Sequence, residues 1–234
     1  MKQNSSKIIL AINIVAISIL FMLNYVYQIN DFDFTLKCIC SLIFTGVGIV
    51  NFGYTLSNKQ KDKRFYIGML TAIIFSLLGD IFIYFNFVAG AGAFAISHIC
   101  FIITYCFIQQ IKKLDLFISV SFFIPIASIL LFCPILNYEE VIFKPVCVIY
   151  GLIITTMVGK ATGNFLRKKN LLNSILFVAS LFFLLSDTML VFHLFSDDVS
   201  WAENACMALY YPSLCIFAFS MYIKICEDKK KSIS

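Results

Sequence analysis

The chain has 234 residues, 61% of them hydrophobic, 16% aromatic and only 13% charged, with a mean hydropathy of +0.92. A soluble domain carries roughly 25% charged residues, and this much apolar side chain on a water-soluble globule would leave large apolar patches exposed. A soluble enzyme, a disordered segment and a nucleic-acid-binding module are excluded, and the net charge of +5 reads as cytoplasmic loops of a membrane protein.

Eight apolar runs follow in chain order, at 8–27, 34–57, 65–86, 89–109, 115–136, 141–161, 172–195 and 202–224. Each is close to the length of about 20 residues that crosses a hydrocarbon core as a helix. Only helices and closed barrels satisfy the backbone in lipid, and these runs lack the alternation of barrel strands. The first run follows Lys2 and Lys7, but it is long for a signal-peptide core and no small-residue cleavage site follows, so it counts as a span. Connections are short and no Pro/Gly/Ser linker occurs. Residues 1–234 therefore read as one domain, an all-α polytopic integral membrane protein built as an eight-helix transmembrane bundle.

Charge supports the count. With the N-terminus inside, one face collects Lys2, Lys7, Lys59, Lys61, Lys63, Arg64, Lys112, Lys113, Lys160, Arg167, Lys168, Lys169, Lys224, Lys229, Lys230 and Lys231. Only Lys37 and Lys144 of the 18 basic residues fall opposite, as the positive-inside rule requires. The opposite loops gather Asp31, Asp33, Glu139, Glu140, Asp197, Asp198 and Glu203. Both termini are expected to be cytoplasmic, in a multi-pass protein of the bacterial plasma membrane. A faint internal echo links Phe75-Ser76-Leu77-Leu78-Gly79-Asp80 to Phe182-Phe183-Leu184-Leu185-Ser186-Asp187, 107 residues and four spans later. The nine cysteines form no CxxC pair, and with only His98 and His193 to complete a zinc set they read as small hydrophobes.

Among the thirteen acids, Asp80 and Asp187 alone are placed deep within spans; the others fall in loops, tails or span ends. A carboxylate at helix centre costs roughly 2.5–3.5 kcal/mol on the insertion scale, so both are functional candidates. Asp80 lies 15 residues beyond Phe65 and Asp187 15 beyond Leu172. Both should sit about 22 Å from the inner end of a core about 30 Å thick. His98, Tyr150 and Tyr210 reach a similar level on helices running the other way. Gly90, Phe94 and His98 share one face of the fourth span, and Ser76 and Tyr84 flank Asp80 at i−4 and i+4. The expected result is a polar pocket in an apolar bundle, with His193 interfacial.

Paired buried carboxylates can relay protons in a coupled transporter, brace helices, or run acid–base hydrolysis of a lipid bond. Intramembrane aspartyl proteolysis fits poorly, because Gly79-Asp80 is preceded by Leu77-Leu78 and no Pro-Ala-Leu motif occurs.

At these residues the sequence resembles the YhhN family of membrane proteins, the lysoplasmalogenases, from the third span to the eighth. Ser76-x-x-Gly79-Asp80 is similar to the family's Ser-x-x-Gly-Asp, and Phe87, Gly90, Phe94 and His98 match its spacing. Tyr150 with Met157, Ser186-Asp187 and Tyr210-Tyr211 continue the resemblance. The chain departs from it at Phe101, where Tyr is usual, at Leu214, where Gln is usual, and at Ala179-Ser180, in place of a Gly.

The resemblance implies hydrolysis of the 1-alkenyl ether of a lysoplasmalogen, giving a fatty aldehyde and a glycerophosphoethanolamine or glycerophosphocholine. Asp80, Asp187 and His98 would be catalytic, with Tyr150, Tyr210, Tyr211, Ser76 and Ser186 contacting substrate. No metal or other cofactor is implied. The expected partners are a lysophospholipid and the bilayer, with no nucleic acid. A proton-coupled transporter or a non-catalytic lipid-binding protein would use the same aspartates.

Overall fold

Eight helices carry the eight apolar runs: α1 (Lys2–Ile29), α2 (Phe34–Ser57), α3 (Arg64–Phe85), α4 (Phe87–Cys106), α5 (Lys113–Phe132), α6 (Phe143–Arg167), α7 (Leu171–Phe195) and α8 (Ala202–Lys231). They come from a computed structural model that describes residues 2–29, 34–58, 60, 62–196, 199 and 201–231. Every one is long and apolar enough to cross a membrane. Of the charges sorted above, Asp31, Asp33, Lys59, Lys61, Asp197 and Asp198 lie outside the described residues, as do the side chains of Lys2, Lys230 and Lys231.

Element ends differ from the apolar runs where polar chemistry intervenes. The expected fifth span, 115–136, stops as a helix at Phe132, because Cys133 precedes Pro134 and takes extended backbone. The sixth continues beyond 161 to Arg167, and the eighth runs seven residues past its apolar run. That extension of α8 is useful to its neighbour. Glu227 accepts from the backbone N–H of Leu172 at 3.1 Å, one of the free donors at the start of α7, and from the side-chain amide of Asn170 at 2.6 Å.

Short connections make consecutive helices antiparallel. Asn86 alone links α3 to α4 and caps the latter, its Oδ1 accepting from Ala89 N at 2.9 Å. The pairs α3/α4, α5/α6 and α7/α8 pack most extensively. Beyond these hairpins, α2 lies on α8 and α3, while α6 lies on α4 and α7. Adding four to each number turns the first set of partners into the second, with α8 returning to α4. α1 and α5, which correspond in that scheme, are the peripheral helices with the least buried spans. The echo between α3 and α7 thus has a counterpart in a pseudo-two-fold arrangement of the bundle.

The start of α1 and the later part of α8 lie at one end of the bundle, since Ser6 Oγ is 2.9 Å from Tyr222 Oη. This is the basic end, carrying Lys63, Arg64, Lys112, Lys113, Lys168 and Lys169. The acidic end carries Glu139, Glu140 and Glu203.

Two charged residues are buried where the sequence reading only counted them. Lys160, sorted with the inner-face charges near the end of the sixth run, is inside α6 and only 2% exposed, and Asp115, at the start of the fifth run, is equally buried in the first turn of α5. They meet because α6 presents Gly159 and Gly163 to α5, and a Cβ at Gly163 would collide with the Asp115 carboxylate. Lys160 Nζ donates to Asp115 (3.2 Å), Asn164 Oδ1 (2.8 Å) and the carbonyls of Gln109 (2.7 Å) and Gln110 (3.1 Å). Arg167 completes the network on Asp115. A buried charge persists only when paired and hydrogen-bonded, and every member here is.

Candidate active site

Asp80 and Asp187 stand at matching heights, each sixteen residues beyond the first residue of its helix. Both are buried, at 3% and 7% exposure. Close approach of α4 brings them toward one cavity: a Cβ at Gly79 would lie 2.7 Å from the Phe94 ring, so glycine lets that ring settle beside Asp80.

Each carboxyl is held at one oxygen by two partners from two other helices. Asp80 Oδ2 accepts from Ser41 Oγ of α2 at 2.6 Å and from Tyr210 Oη of α8 at 2.9 Å. Asp187 Oδ2 accepts from Tyr150 Oη of α6 and lies 3.3 Å from His98 Nε2 of α4. His98 Nε2 is also 2.7 Å from Tyr150 Oη. The donors therefore follow the pseudo-symmetry, α2 and α8 for one acid and α6 and α4 for the other. Oδ1 of each carboxyl makes no hydrogen bond among the described residues.

His98 is fully buried, edge-on to Phe183 with ring centroids 4.7 Å apart. Phe183 also packs on Phe94 and Tyr210, forming an aromatic partition beside the two acids. Since Tyr150 donates to Asp187, Nε2–H of His98 can donate to both Tyr150 Oη and Asp187 Oδ2. Its Nδ1 then keeps an open lone pair, and no partner for it occurs among the described residues.

Three cavities meet at Asp187. One lies among α5, α6 and α7, lined by Ile126, Leu130, Tyr150, Ile154, Leu184 and Val191; it holds ≈ 20 Å³. The second, ≈ 30 Å³, lies among α3, α4, α6 and α7, against Ile83, Phe87, Ala91, Phe94, Tyr150 and Leu194. Both are apolar apart from Tyr150, Asp187 and Thr188. The third, ≈ 10 Å³, brings Asp80 and Asp187 together with Lys37, Ser186, Cys206 and Tyr210.

Of the residues expected from sequence, Asp80, Asp187, His98, Tyr150 and Tyr210 are brought into one cluster. Ser186 lines the shared cavity, its Oγ 3.4 Å from Cys206 Sγ. Tyr211 and Ser76 sit outside it. Tyr211 packs on Phe44 and Tyr210, and the Ser76 hydroxyl bonds Ser97 Oγ at 2.8 Å and the Ala72 carbonyl at 3.2 Å, one turn from Asp80. Tyr84, which the spacing places beside Asp80, is 64% exposed and stacks on Phe34. His193 is half-exposed, 3.7 Å from Glu203. Phe101, where the resemblance expects Tyr, packs in the core on Phe217 with ring centroids 4.2 Å apart, and Ser180 shares a hydrogen bond with Tyr105 at 2.8 Å.

The sequence reading missed Ser41 and Lys37. A serine in an apolar run is ordinary and carries no signal. Lys37 was legible as one of two basic residues on the acidic side, but nothing in its spacing tied it to Asp80.

The family model for YhhN matches residues 32–221, which takes in α2 through α7 and the first two thirds of α8, with every residue of this cluster. The chain belongs to the YhhN family. The YhhN match reaches α2, beyond the third-to-eighth-span resemblance, and so includes Ser41 and Lys37. No curated protein and no solved structure shows a significant match to this YhhN chain.

Proposed function

We propose that this YhhN protein is a membrane-embedded ether hydrolase, a lysoplasmalogenase that cleaves the vinyl ether of 1-alkenyl lysophospholipids. The observation that carries this reading is the pair of buried carboxyls facing one cavity, each fixed at one oxygen while the other stays open. Vinyl ether hydrolysis begins with protonation of the β-carbon, which leaves an oxocarbenium ion. Water adds to that cation and loses a proton, and the hemiacetal collapses to a fatty aldehyde and the free glycerol hydroxyl. One carboxylic acid and one carboxylate supply both proton transfers, and the carboxylate also stabilises the cation.

Hydrogen bonding suits the two acids to different parts. Asp187 faces two groups that can both donate, His98 and Tyr150, which fits an ionised carboxylate. Asp80 meets Ser41, whose hydroxyl is also 3.0 Å from the Lys37 carbonyl. The single Ser41 hydrogen serves only one of these acceptors, and a protonated Asp80 reverses its bond, so that Ser41 donates to the Lys37 carbonyl and accepts from the acid; this makes Asp80 the acid and Asp187 the base. Continuous helices at both acids favour hydrolysis over transport, since transporter sites are commonly built on broken helices. The apolar crevices that end at Asp187 would take the alkenyl chain. At ≈ 20 and ≈ 30 Å³ they must widen to do so, by parting α7 from α5 or from α3 and α4.

The test is aldehyde release by purified protein in detergent from an alkenyl lysophospholipid, with its saturated alkyl analogue as control. The alkenyl substrate alone should be cleaved, and in D2O the aldehyde should carry one deuterium on the carbon next to the carbonyl. A folded protein that releases no aldehyde, or aldehyde without that deuterium, overturns the proposal.

A further inference from the structure

Two basic side chains stand at the acidic end, Lys37 in α2 and Lys144 in α6, and they sit 107 residues apart, the spacing that relates Asp80 to Asp187. Their surroundings differ. Lys144 is spent on the bundle's outside, donating to the Leu131 carbonyl at 3.0 Å, with its ammonium 6.0 Å from the Tyr138 ring centroid. Lys37 is half-buried and lines the cavity shared by Asp80 and Asp187. It donates no side-chain hydrogen bond among the described residues.

Position along α2 sharpens the contrast. Lys37 is one turn before Ser41, the residue bonded to Asp80, and therefore about 6 Å nearer the acidic end of the bundle. In a lysophospholipid only the glycerol backbone separates the ether oxygen from the phosphate, a separation of the same order. Direction agrees as well. Asp187 lines all three cavities, but Lys37 lines only the polar one and neither apolar crevice. A lipid whose chain fills a crevice and whose ether lies at Asp187 points its headgroup to Lys37. An anion brought beside two carboxyls is repelled unless a cation stands with them, and Lys37 is the cation in that cavity.

We propose that Lys37 is the phosphate-binding residue of the site, pairing with the lysophospholipid phosphate and setting a preference for phosphate-bearing over neutral glycerol ethers. This rests on the lysoplasmalogenase reading for its substrate class. Selection is then made at the phosphate, common to ethanolamine and choline lipids, rather than at the amine.

Binding of two saturated ligands tests it without turnover: a 1-O-alkyl-glycerophosphoethanolamine and the 1-O-alkylglycerol of the same chain length, titrated into purified protein in a neutral detergent. Wild type should bind the phosphate-bearing ligand more tightly. Lys37→Ala, or Lys37→Gln should the alanine variant not purify folded, should weaken that ligand by about tenfold to hundredfold, the loss of one charge-assisted contact. The neutral ligand should bind as before, and Lys37→Arg should retain most of the affinity. Equal binding of both ligands by wild type, or equal weakening of both by the substitution, overturns the assignment. Because neither ligand has a vinyl bond, phosphate-dependent binding without aldehyde release from the alkenyl substrate would refute the hydrolase and leave Lys37 standing. Aldehyde release without phosphate preference would do the reverse.

Discussion

Asp80 and Asp187 occupy corresponding places in similar stretches of sequence, yet their neighbours give them different work. Asp187 has an imidazole and a phenol, both able to donate, whereas Asp80 has a phenol and a serine with a second acceptor. If Asp187 is the ionised partner, Tyr150→Phe removes a hydrogen bond to a charge and should lower kcat about tenfold to hundredfold. Tyr210→Phe removes a bond to a neutral acid and should lower it less than about tenfold. Steady-state rates of the two purified variants check this, and the opposite order would exchange the roles of the acids. The acids themselves were legible in the sequence because an intramembrane carboxylate is expensive enough to need a reason. Ser41 was not, since hydroxyls in spans commonly satisfy themselves on the carbonyl four residues back, as Thr45, Thr55 and Thr155 do. Ser76 reads the same way in sequence and turns out to bond Ser97 instead of reaching the cluster.

Among the helices, the contact of α5 with α6 holds a second polar centre that is structural. Asp115 and Lys160 lie at the ends of their apolar runs, where a charge is ordinary and carries no signal. Only the length of α6 and the closeness allowed by Gly159 and Gly163 bury them together. Asp115→Ala would leave the Lys160 ammonium buried among neutral acceptors, and should destabilise the protein by about 3–5 kcal/mol. The double change Asp115→Leu with Lys160→Met should recover much of that loss, because a hydrophobic replacement removes both desolvation penalties. Thermal unfolding in detergent measures both. A single variant as stable as wild type would mean the network contributes little. This network lies at the basic end, remote from Asp80 and Asp187, so variants that remain folded should keep their turnover.

At the scale of the molecule, hydropathy and charge sorting made the eight helices and the shared end of α1's start and α8's end legible. The packing was not, because apolar runs that all face lipid or one another carry no partner label. The pseudo-two-fold arrangement shows in the sequence only as the short echo around the two acids, while the bundle repeats it in α2 on α8 and α6 on α4. The asymmetry matters more for function: Asp187 meets His98 and Tyr150, whereas Asp80 meets Ser41 and Tyr210 with Lys37 lining the shared cavity. Charge bias predicts that the basic end faces the cytoplasm. Reporter fusions after residue 231 should then show a cytoplasmic C-terminus, and fusions in the connection 133–142 the opposite side. A C-terminus on the side opposite the cytoplasm would invert the topology and move the site to the other leaflet.

The central claim is that the two buried carboxyls perform the chemistry, and isosteric loss of either addresses it directly. Aldehyde release from an alkenyl lysophospholipid should be compared for wild type, Asp80→Asn and Asp187→Asn at equal amounts of folded, monodisperse protein. The account predicts that each substitution lowers the rate by about a hundredfold or more, the usual contribution of a general acid or base. Full activity in both variants would contradict it.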